Sequence, residues 1–243
     1  MTEAAMEVQA DTLAGVPVLL CHAGDPARAA ARATLVLYHG VGVDARTMLP
    51  EAARLVAAGF LVVAVDSVGH GRRWHPTVQT RLATPHDRTA AFLGAVRDTA
   101  WELPALADAL AERGWLQRLG LVGVSMGGYI VYAGVVSEPR VEVAVAFIAN
   151  PRWQLDWPVS PHRHPDTFAG VALLSLTAGQ DDVVPPAGAR DFHGVLASRF
   201  ADADTRLAYR EYPDSGHTML PADWEDAWDQ ALTWCRRWLP PGT

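Results

Sequence analysis

Leu119-Gly120-Leu121-Val122-Gly123-Val124-Ser125-Met126-Gly127-Gly128 is the stretch of sequence that decides the fold. Its apolar first half has the composition of a strand, and a helical pattern follows from Met126. Ser125 therefore stands on a sharp strand-to-helix turn, which needs glycines because side chains there would clash with the neighbouring strand and helix. The turn also aims the Met126 N–H at the place where a reacting oxygen would sit. We predict that Ser125 is a nucleophile.

The rest of the chain alternates short β-branched and leucine-rich runs with longer helical patterns. This order predicts an α/β fold with a mostly parallel central sheet and helices on both faces. A length of 243 residues and a hydrophobic fraction of 50% suit one large core, and we expect a single domain over residues 1–243. The predicted strands are 16–21 (at an antiparallel edge), 34–38, 61–65, 119–124, 143–148, 171–177 and 206–209. The predicted helices are 48–58, 88–113 with a break at Pro104, 126–137, 186–200 and 222–239, the last with an aromatic stripe that packs on the sheet.

The charged residues exclude several classes of protein. The formal net charge is -7, whereas binding to nucleic-acid phosphates needs clustered positive charge. The chain contains no lysine, so a P-loop, a pyridoxal Schiff base and a kinase-type catalytic lysine are all excluded. We expect a small-molecule substrate, and the sequence leaves the oligomeric state open.

The cysteines and the N-terminal residues bear on the cellular compartment. Cys21 and Cys235 show no spacing typical of a disulfide framework or a metal site, and we expect buried free thiols. Residues 1–11 carry acidic residues where a signal peptide would need positive charge and then an apolar run. The apolar runs elsewhere are too short to cross a membrane. We therefore expect a soluble cytoplasmic protein without a membrane partner.

Together with the serine turn, three further motifs resemble the α/β-hydrolase superfamily. These are Tyr38-His39-Gly40-Val41-Gly42, the segment 58–66, and Gly69-His70-Gly71. Within that superfamily the chain is similar over nearly its whole length to small bacterial esterases akin to dienelactone hydrolase and to the catalytic domains of prolyl oligopeptidases. The resemblance implies an α/β-hydrolase fold. The segment after residue 150 is too short for the large helical lid of lipases, so no lid domain is expected.

The same resemblance implies an oxyanion hole made of two backbone amides, those of Val41 and Met126. Two preorganised donors stabilise a tetrahedral oxyanion, each by about 3 kcal/mol of the barrier. His39, just before this loop, is expected to hold the loop by hydrogen bonding rather than to act in the chemistry.

The base and the acid are expected late in the chain. His217 lies in a polar turn between the last predicted strand and the last predicted helix, the position that the base of such a triad occupies. Ala178-Gly179-Gln180-Asp181-Asp182 resembles the Gly-x-x-Asp turn that supplies the acid, and counting from Gly179 favours Asp182. The adjacent Asp181 leaves the register open.

Two loops after predicted strands, 69–87 and 150–168, are expected to lie outside regular structure at the carboxyl edge of the sheet, where open α/β folds bind ligands. Arg72, Trp153 and Trp157 in these loops are candidate substrate-binding residues, although solvated arginines and ordinary tryptophan packing explain them as well. His162-Arg163-His164-Pro165-Asp166 begins like a zinc-hydrolase element but closes with Thr167 instead of histidine, and no metal site is predicted.

These residues predict a serine hydrolase that cleaves small carboxylic esters, with Ser125, His217 and Asp182 as its triad. The mechanism uses side chains and backbone dipoles, and no cofactor is expected. A thioesterase, a lactonase or a hydrolase of small peptides would use the same triad. A non-catalytic module that binds a small ligand on the same fold is the alternative of another class.

Overall fold

A mixed β-sheet forms the centre of the computed structural model, which describes residues 5–200 and 203–241. Within the sheet, β2 pairs antiparallel with both β1 and β4, and all the other neighbouring strands pair in parallel. The strands are β1 (Glu7–Leu13), β2 (Val16–His22), β3 (Thr34–Tyr38), β4 (Leu61–Val65), β5 (Leu119–Val124), β6 (Val141–Phe147), β7 (Ala172–Ala178) and β8 (Leu207–Tyr212), in the order β1-β2-β4-β3-β5-β6-β7-β8.

All seven predicted strands are present, but the antiparallel edge differs from the prediction. Strand β1, which was not predicted, occupies the edge, and β2 lies between β1 and β4. The first four residues of β1 are all exposed, and Val8 and Ala10 are its only apolar residues before Leu13, so the strand gives a weak signal in the sequence. The first four residues of the N-terminal segment considered above lie outside the described residues.

The helices flank the sheet on both faces. They are α1 (Pro26–Ala30), α2 (Leu49–Ala57), α3 (Pro76–Ala83), α4 (Arg88–Trp101), α5 (Leu103–Glu112), α6 (Met126–Ser137), α7 (Ala187–Arg199), α8 (Ala203–Arg206) and α9 (Pro221–Trp238). The predicted break near Pro104 is confirmed, because α4 ends and α5 begins there with the proline in its first turn.

Helix α3 corrects the expectation that residues 69–87 have no regular structure. It begins with Pro76 in its first turn and contains no buried residue. A helix with no buried side lacks the apolar stripe by which a helix is recognised in a sequence. The loop 150–168 contains only short 3₁₀ turns, at Pro161–Arg163 and Pro165–Phe168.

Two apolar layers sandwich the sheet. One contains buried residues of α4, α5, α6 and α7, and the other contains buried residues of α2 and α9. The expected packing of the α9 aromatic residues on the sheet is confirmed, since Trp228 stacks on Phe147 of β6 with ring centroids 4.5 Å apart. Both cysteines are free and buried, and burial raises the pKa of Cys21 to about 11 and that of Cys235 to about 12.

The parallel strands bring four chain segments to one edge. The carboxyl ends of β3, β5, β7 and β8 lead directly into the segments that contain Val41, Ser125, Asp181 and His217. Because these strands lie side by side or one strand apart, their loops meet at that edge. Within residues 5–200 and 203–241, no helix combines the length and apolar character needed to cross a membrane.

Candidate active site

Ser125 occupies a strained turn between β5 and α6. The φ angle of Ser125 is +54°, a value that residues other than glycine rarely adopt. The turn is held by a hydrogen bond of 2.9 Å from the Ser125 N–H to the Phe147 carbonyl. Two glycines make the turn possible. A Cβ on Gly123 would lie 2.2 Å from the Gly127 carbonyl oxygen, and one on Gly127 would lie 2.2 Å from the Tyr38 carbonyl oxygen.

We expect Gly127→Ala to lower the free energy of unfolding by about 3 kcal/mol, because its Cβ would meet rigid backbone rather than a side chain that can move. Gly94→Ala is the matched control. Gly94 lies inside α4 with open space around the position of its Cβ, so alanine there is expected to stabilise the protein by about 0.5–1 kcal/mol. Urea denaturation of both variants measures the difference, and equal stabilities would contradict the close packing at the turn.

His217 and Ser125 are brought together as predicted. The Ser125 Oγ lies 3.1 Å from the His217 Nε2, within hydrogen-bonding distance. The opposite ring nitrogen, Nδ1, lies 2.7 Å from the Asp181 Oδ2. A hydroxyl, an imidazole and a carboxylate therefore form one chain of hydrogen bonds, with the imidazole between the other two.

The carboxylate that contacts His217 belongs to Asp181 and not to Asp182, the residue favoured from the sequence. The Asp181 carboxylate is fully buried, and its Oδ1 accepts hydrogen bonds from the amides of Val183 (2.9 Å) and Val184 (2.7 Å). Asp182 is exposed. Strand β7 ends at Ala178, and the chain turns at once, since the Asp181 amide donates to the Ala178 carbonyl (3.3 Å). The buried carboxylate therefore comes one residue earlier than the motif count from Gly179 suggests.

The loop that carries His217 is fixed by Ser215. The buried Ser215 hydroxyl donates to Asp223 in the first turn of α9 (2.7 Å) and accepts from the Leu220 amide (3.0 Å). Its carbonyl accepts from the Gln180 amide at 2.9 Å, which ties the base loop to the acid turn. His217 and Asp181 are therefore held by one hydrogen-bonded unit.

The two predicted oxyanion donors flank Ser125. Met126 is the first residue of α6, and Val41 lines the same cleft as Ser125. Gly40, next to Val41, comes so close to Ser125 that its Cβ would lie 3.9 Å from the serine Cβ. Both amides therefore belong to segments that border Ser125.

His39 holds the Val41 loop, as expected. Its buried Nε2 accepts a hydrogen bond from the Ser67 amide (3.1 Å), so Nδ1 carries the proton and donates to the Gly40 carbonyl (2.7 Å). Burial lowers the pKa of His39, which favours this neutral form. The role is one of positioning.

Arg72 does not lie in the cleft, which corrects its candidacy as a substrate-binding residue. Its guanidinium donates to the Val18 carbonyl (2.8 Å) and the Asp11 carbonyl (3.0 Å), on the antiparallel side of the sheet. Its amide also donates to Asp66 (3.0 Å). The Arg72 side chain thus links the turn at Gly71 to β1 and β2 by hydrogen bonds.

The two tryptophans also lie elsewhere. Trp153 is 3% exposed and packs edge-on against Trp157. Trp157 lines a neighbouring pocket between α3 and α4, where Arg97 stacks over its ring at 5.4 Å. Neither tryptophan lines the cleft at Ser125, so both make the ordinary loop packing that was the alternative to substrate binding.

The cleft over Ser125 is a cavity of about 370 Å³. Its lining is mainly apolar and includes residues that sequence reasoning did not select: Leu82 of α3, Arg88, Thr89 and Phe92 of α4, Tyr129, Gln154, Val183 and Val184. Burial raises the pKa of Tyr129 to about 12, so the phenol stays protonated. No sequence signal marks the lining residues of α3 and α4, because these helices reach the cleft only through tertiary packing.

The histidines at 162 and 164 make local hydrogen bonds. His162 Nδ1 lies 2.8 Å from the Ser160 Oγ, and His164 Nε2 lies 2.7 Å from the Pro158 carbonyl. In the described part of the chain, no group of three or more His, Cys, Asp or Glu side chains is placed to hold a metal ion.

Comparison with known proteins places the chain in a hydrolase family. Residues 29–172 match the family model described as "Hydrolase_4: Serine aminopeptidase, S33", and the chain belongs to this family. It is 21% identical over 245 residues to "Putative esterase YitV" of Bacillus subtilis (strain 168), an alignment that covers 88% of this chain and 93% of that protein.

Two solved structures show the same fold. TT1662 from Thermus thermophilus has a TM-score of 0.77 and 23% identity, covering 97% of this chain and 98% of that one. A structure titled "Putative Dienelactone Hydrolase" from Klebsiella pneumoniae has a TM-score of 0.72 and 16% identity, covering 95% and 98%. The predicted α/β-hydrolase fold is confirmed, and the described residues contain no additional lid domain.

Proposed function

We propose that this protein is a serine hydrolase that cleaves small carboxylic esters through an acyl-enzyme. The observation that carries the proposal is the hydrogen-bonded chain from Ser125 through His217 to the buried Asp181, which opens into a cleft at its serine end. This arrangement has the components needed to activate a serine hydroxyl.

In the first step, the Ser125 Oγ attacks the ester carbonyl while His217 Nε2 takes the serine proton. Asp181 keeps the His217 proton on Nδ1 and stabilises the imidazolium that forms. The Val41 and Met126 amides donate to the tetrahedral oxyanion. When the oxyanion collapses, His217 gives its proton to the leaving alkoxide, and the acyl group stays on Ser125.

Deacylation repeats the same steps with water. His217 takes a proton from water, the hydroxide attacks the acyl-serine carbonyl, and the same two amides hold the second oxyanion. Collapse of that intermediate returns the proton to the Ser125 Oγ and releases the carboxylic acid.

The size and polarity of the cleft support short acyl chains. A volume of about 370 Å³ is near the lower end of the range for small-molecule sites. The apolar walls from Val41, Leu82, Phe92 and the two valines of the acid turn suit an aliphatic acyl or alcohol group.

The experiment is a panel of p-nitrophenyl esters from acetate to laurate, with p-nitroanilides of the same acids and a fluorophosphonate probe. We expect kcat/KM to peak at a short acyl chain, the anilides to react more slowly, and peptide mapping to place the label on Ser125. Preference for the anilides would favour a small-peptide hydrolase, and a panel of thioesters and lactones tests the other acyl donors. Absence of both turnover and labelling would overturn the proposal in favour of a binding module.

A further inference from the structure

Arg88 is the charged side chain of the cleft. It is the first residue of α4 and lines the cavity that contains Ser125 and His217. Apart from the titratable His217, the other described lining residues are uncharged. The cleft thus carries a positive charge in a chain whose formal net charge is -7.

The guanidinium of Arg88 has unused donors. Its Nε donates to the Leu82 carbonyl at the end of α3 (2.9 Å), which orients the side chain. Most arginines of the described chain pair with a carboxylate, as Arg54 does with Glu225 and Arg73 with Glu102. Among residues 5–200 and 203–241, no carboxylate lies within ion-pair distance of Arg88. Its terminal nitrogens remain available to a bidentate anionic partner.

The cleft offers no matching site for a cationic substrate. No aspartate or glutamate is among its described lining residues. The nearby Asp181 is fully buried and is already bonded to His217 and to two backbone amides. A substrate with a free amino terminus would therefore place its positive charge beside Arg88 without a compensating carboxylate.

We propose that Arg88 makes this site selective for esters that carry a second, anionic group, such as a carboxylate, and that it disfavours substrates with a free amine. The inference rests on the proposed esterase function. The carboxylate pairs with the terminal nitrogens of Arg88 while the scissile carbonyl lies at Ser125. Arg88 is then a specificity-determining residue that takes no part in proton transfer.

The test compares esters that differ only in charge. The mono-p-nitrophenyl ester of adipic acid is paired with p-nitrophenyl hexanoate, which places the charge on the acyl side. The second pair is 6-acetoxyhexanoic acid and hexyl acetate. In this pair the charge lies on the alcohol side of the ester. A trimethylammonium acyl ester of the same length serves as the cationic substrate. All rates are corrected for uncatalysed hydrolysis.

The variants are Arg88→Gln and Arg88→Glu, with Arg81→Gln as the matched control. Arg81 lies on α3, lines the neighbouring pocket instead of the cleft, and has no carboxylate at ion-pair distance in the part of the chain that the structure describes. Its replacement changes the net charge by the same amount. Thermal melts show that each variant is folded.

In at least one charge pair, we expect the anionic-to-neutral ratio of kcat/KM to fall about threefold to fivefold in Arg88→Gln, the effect of losing an ion pair at an exposed arginine. Arg88→Glu should favour the cationic ester over the anionic one, and Arg81→Gln should leave the ratio within about twofold of the wild type. The wild-type ratio should also fall as salt is added.

Unchanged ratios in both charge pairs for folded Arg88→Gln and Arg88→Glu would overturn the inference. An equal fall in Arg81→Gln would also overturn it, because the effect would then come from net charge. Either result leaves the esterase proposal standing if neutral esters are hydrolysed and Ser125 is labelled. Absence of turnover with any ester would count against the esterase proposal and, with it, the inference.

Discussion

Ser125→Ala is expected to lower kcat for short-chain esters by at least about 10⁴-fold, with little change in stability. The hydroxyl is the group that attacks, so neither the oxyanion donors nor His217 can replace it. The substitution removes one oxygen at the end of β5 and leaves the glycines of the turn in place. Steady-state kinetics with p-nitrophenyl esters measures the loss.

Ser198→Ala is the control for this prediction. Ser198 lies near the end of α7 on the surface, where its hydroxyl donates to the Val195 carbonyl (2.8 Å). That variant should keep its activity and its fluorophosphonate label, whereas Ser125→Ala should lose both. Hydrolysis that survives in a highly purified Ser125→Ala preparation would show that another group is the nucleophile.

Asp181→Asn is expected to lower kcat by about 10³–10⁴-fold, whereas Asp182→Asn should stay within about twofold of the wild type. An amide at 181 that donates to Nδ1 would move the His217 proton to Nε2, where it blocks acceptance of the serine proton. Asp182 is exposed and has no such contact with the ring.

Neighbouring residues of the same type make this comparison well controlled, because both variants replace one carboxylate by one amide in the same turn. Urea denaturation separates a loss of folding from a loss of chemistry, since the Asp181 side chain also accepts from the Val183 and Val184 amides. A larger fall in kcat for Asp182→Asn than for Asp181→Asn would reverse the assignment of the acid.

The sequence predicts the parts of the site that depend on local geometry. Ser125 can be identified from the sequence because its turn needs glycines, and glycines stand at positions 123 and 127. His217 is marked by its place after the last strand. The acid is less determined, because a run of two aspartates does not show which side chain faces inward.

The cleft walls could not be predicted from the sequence for a different reason. Helix α3 buries no residue, so its sequence has no periodic apolar pattern from which the helix could be predicted. Its Leu82 nevertheless lines the cleft. Trp153 and Trp157 stand in a loop at the correct edge, but packing turns Trp153 into the core. Arg88 follows a polar turn and has no sequence feature that distinguishes it from a solvated arginine; only the tertiary structure places it in the lining of the cleft over Ser125.

The acid turn has a consequence for how substrate range can change. Val183 and Val184 hold the Asp181 carboxylate with their amides and also form part of the cleft wall. Remodelling this wall would move the carboxylate proposed as the catalytic acid, so a change in pocket shape on that side would also change turnover. Leu82 and Phe92 stand on helices that carry no triad residue. Selection or design can therefore explore new acyl groups on the α3–α4 side while the chemistry stays intact.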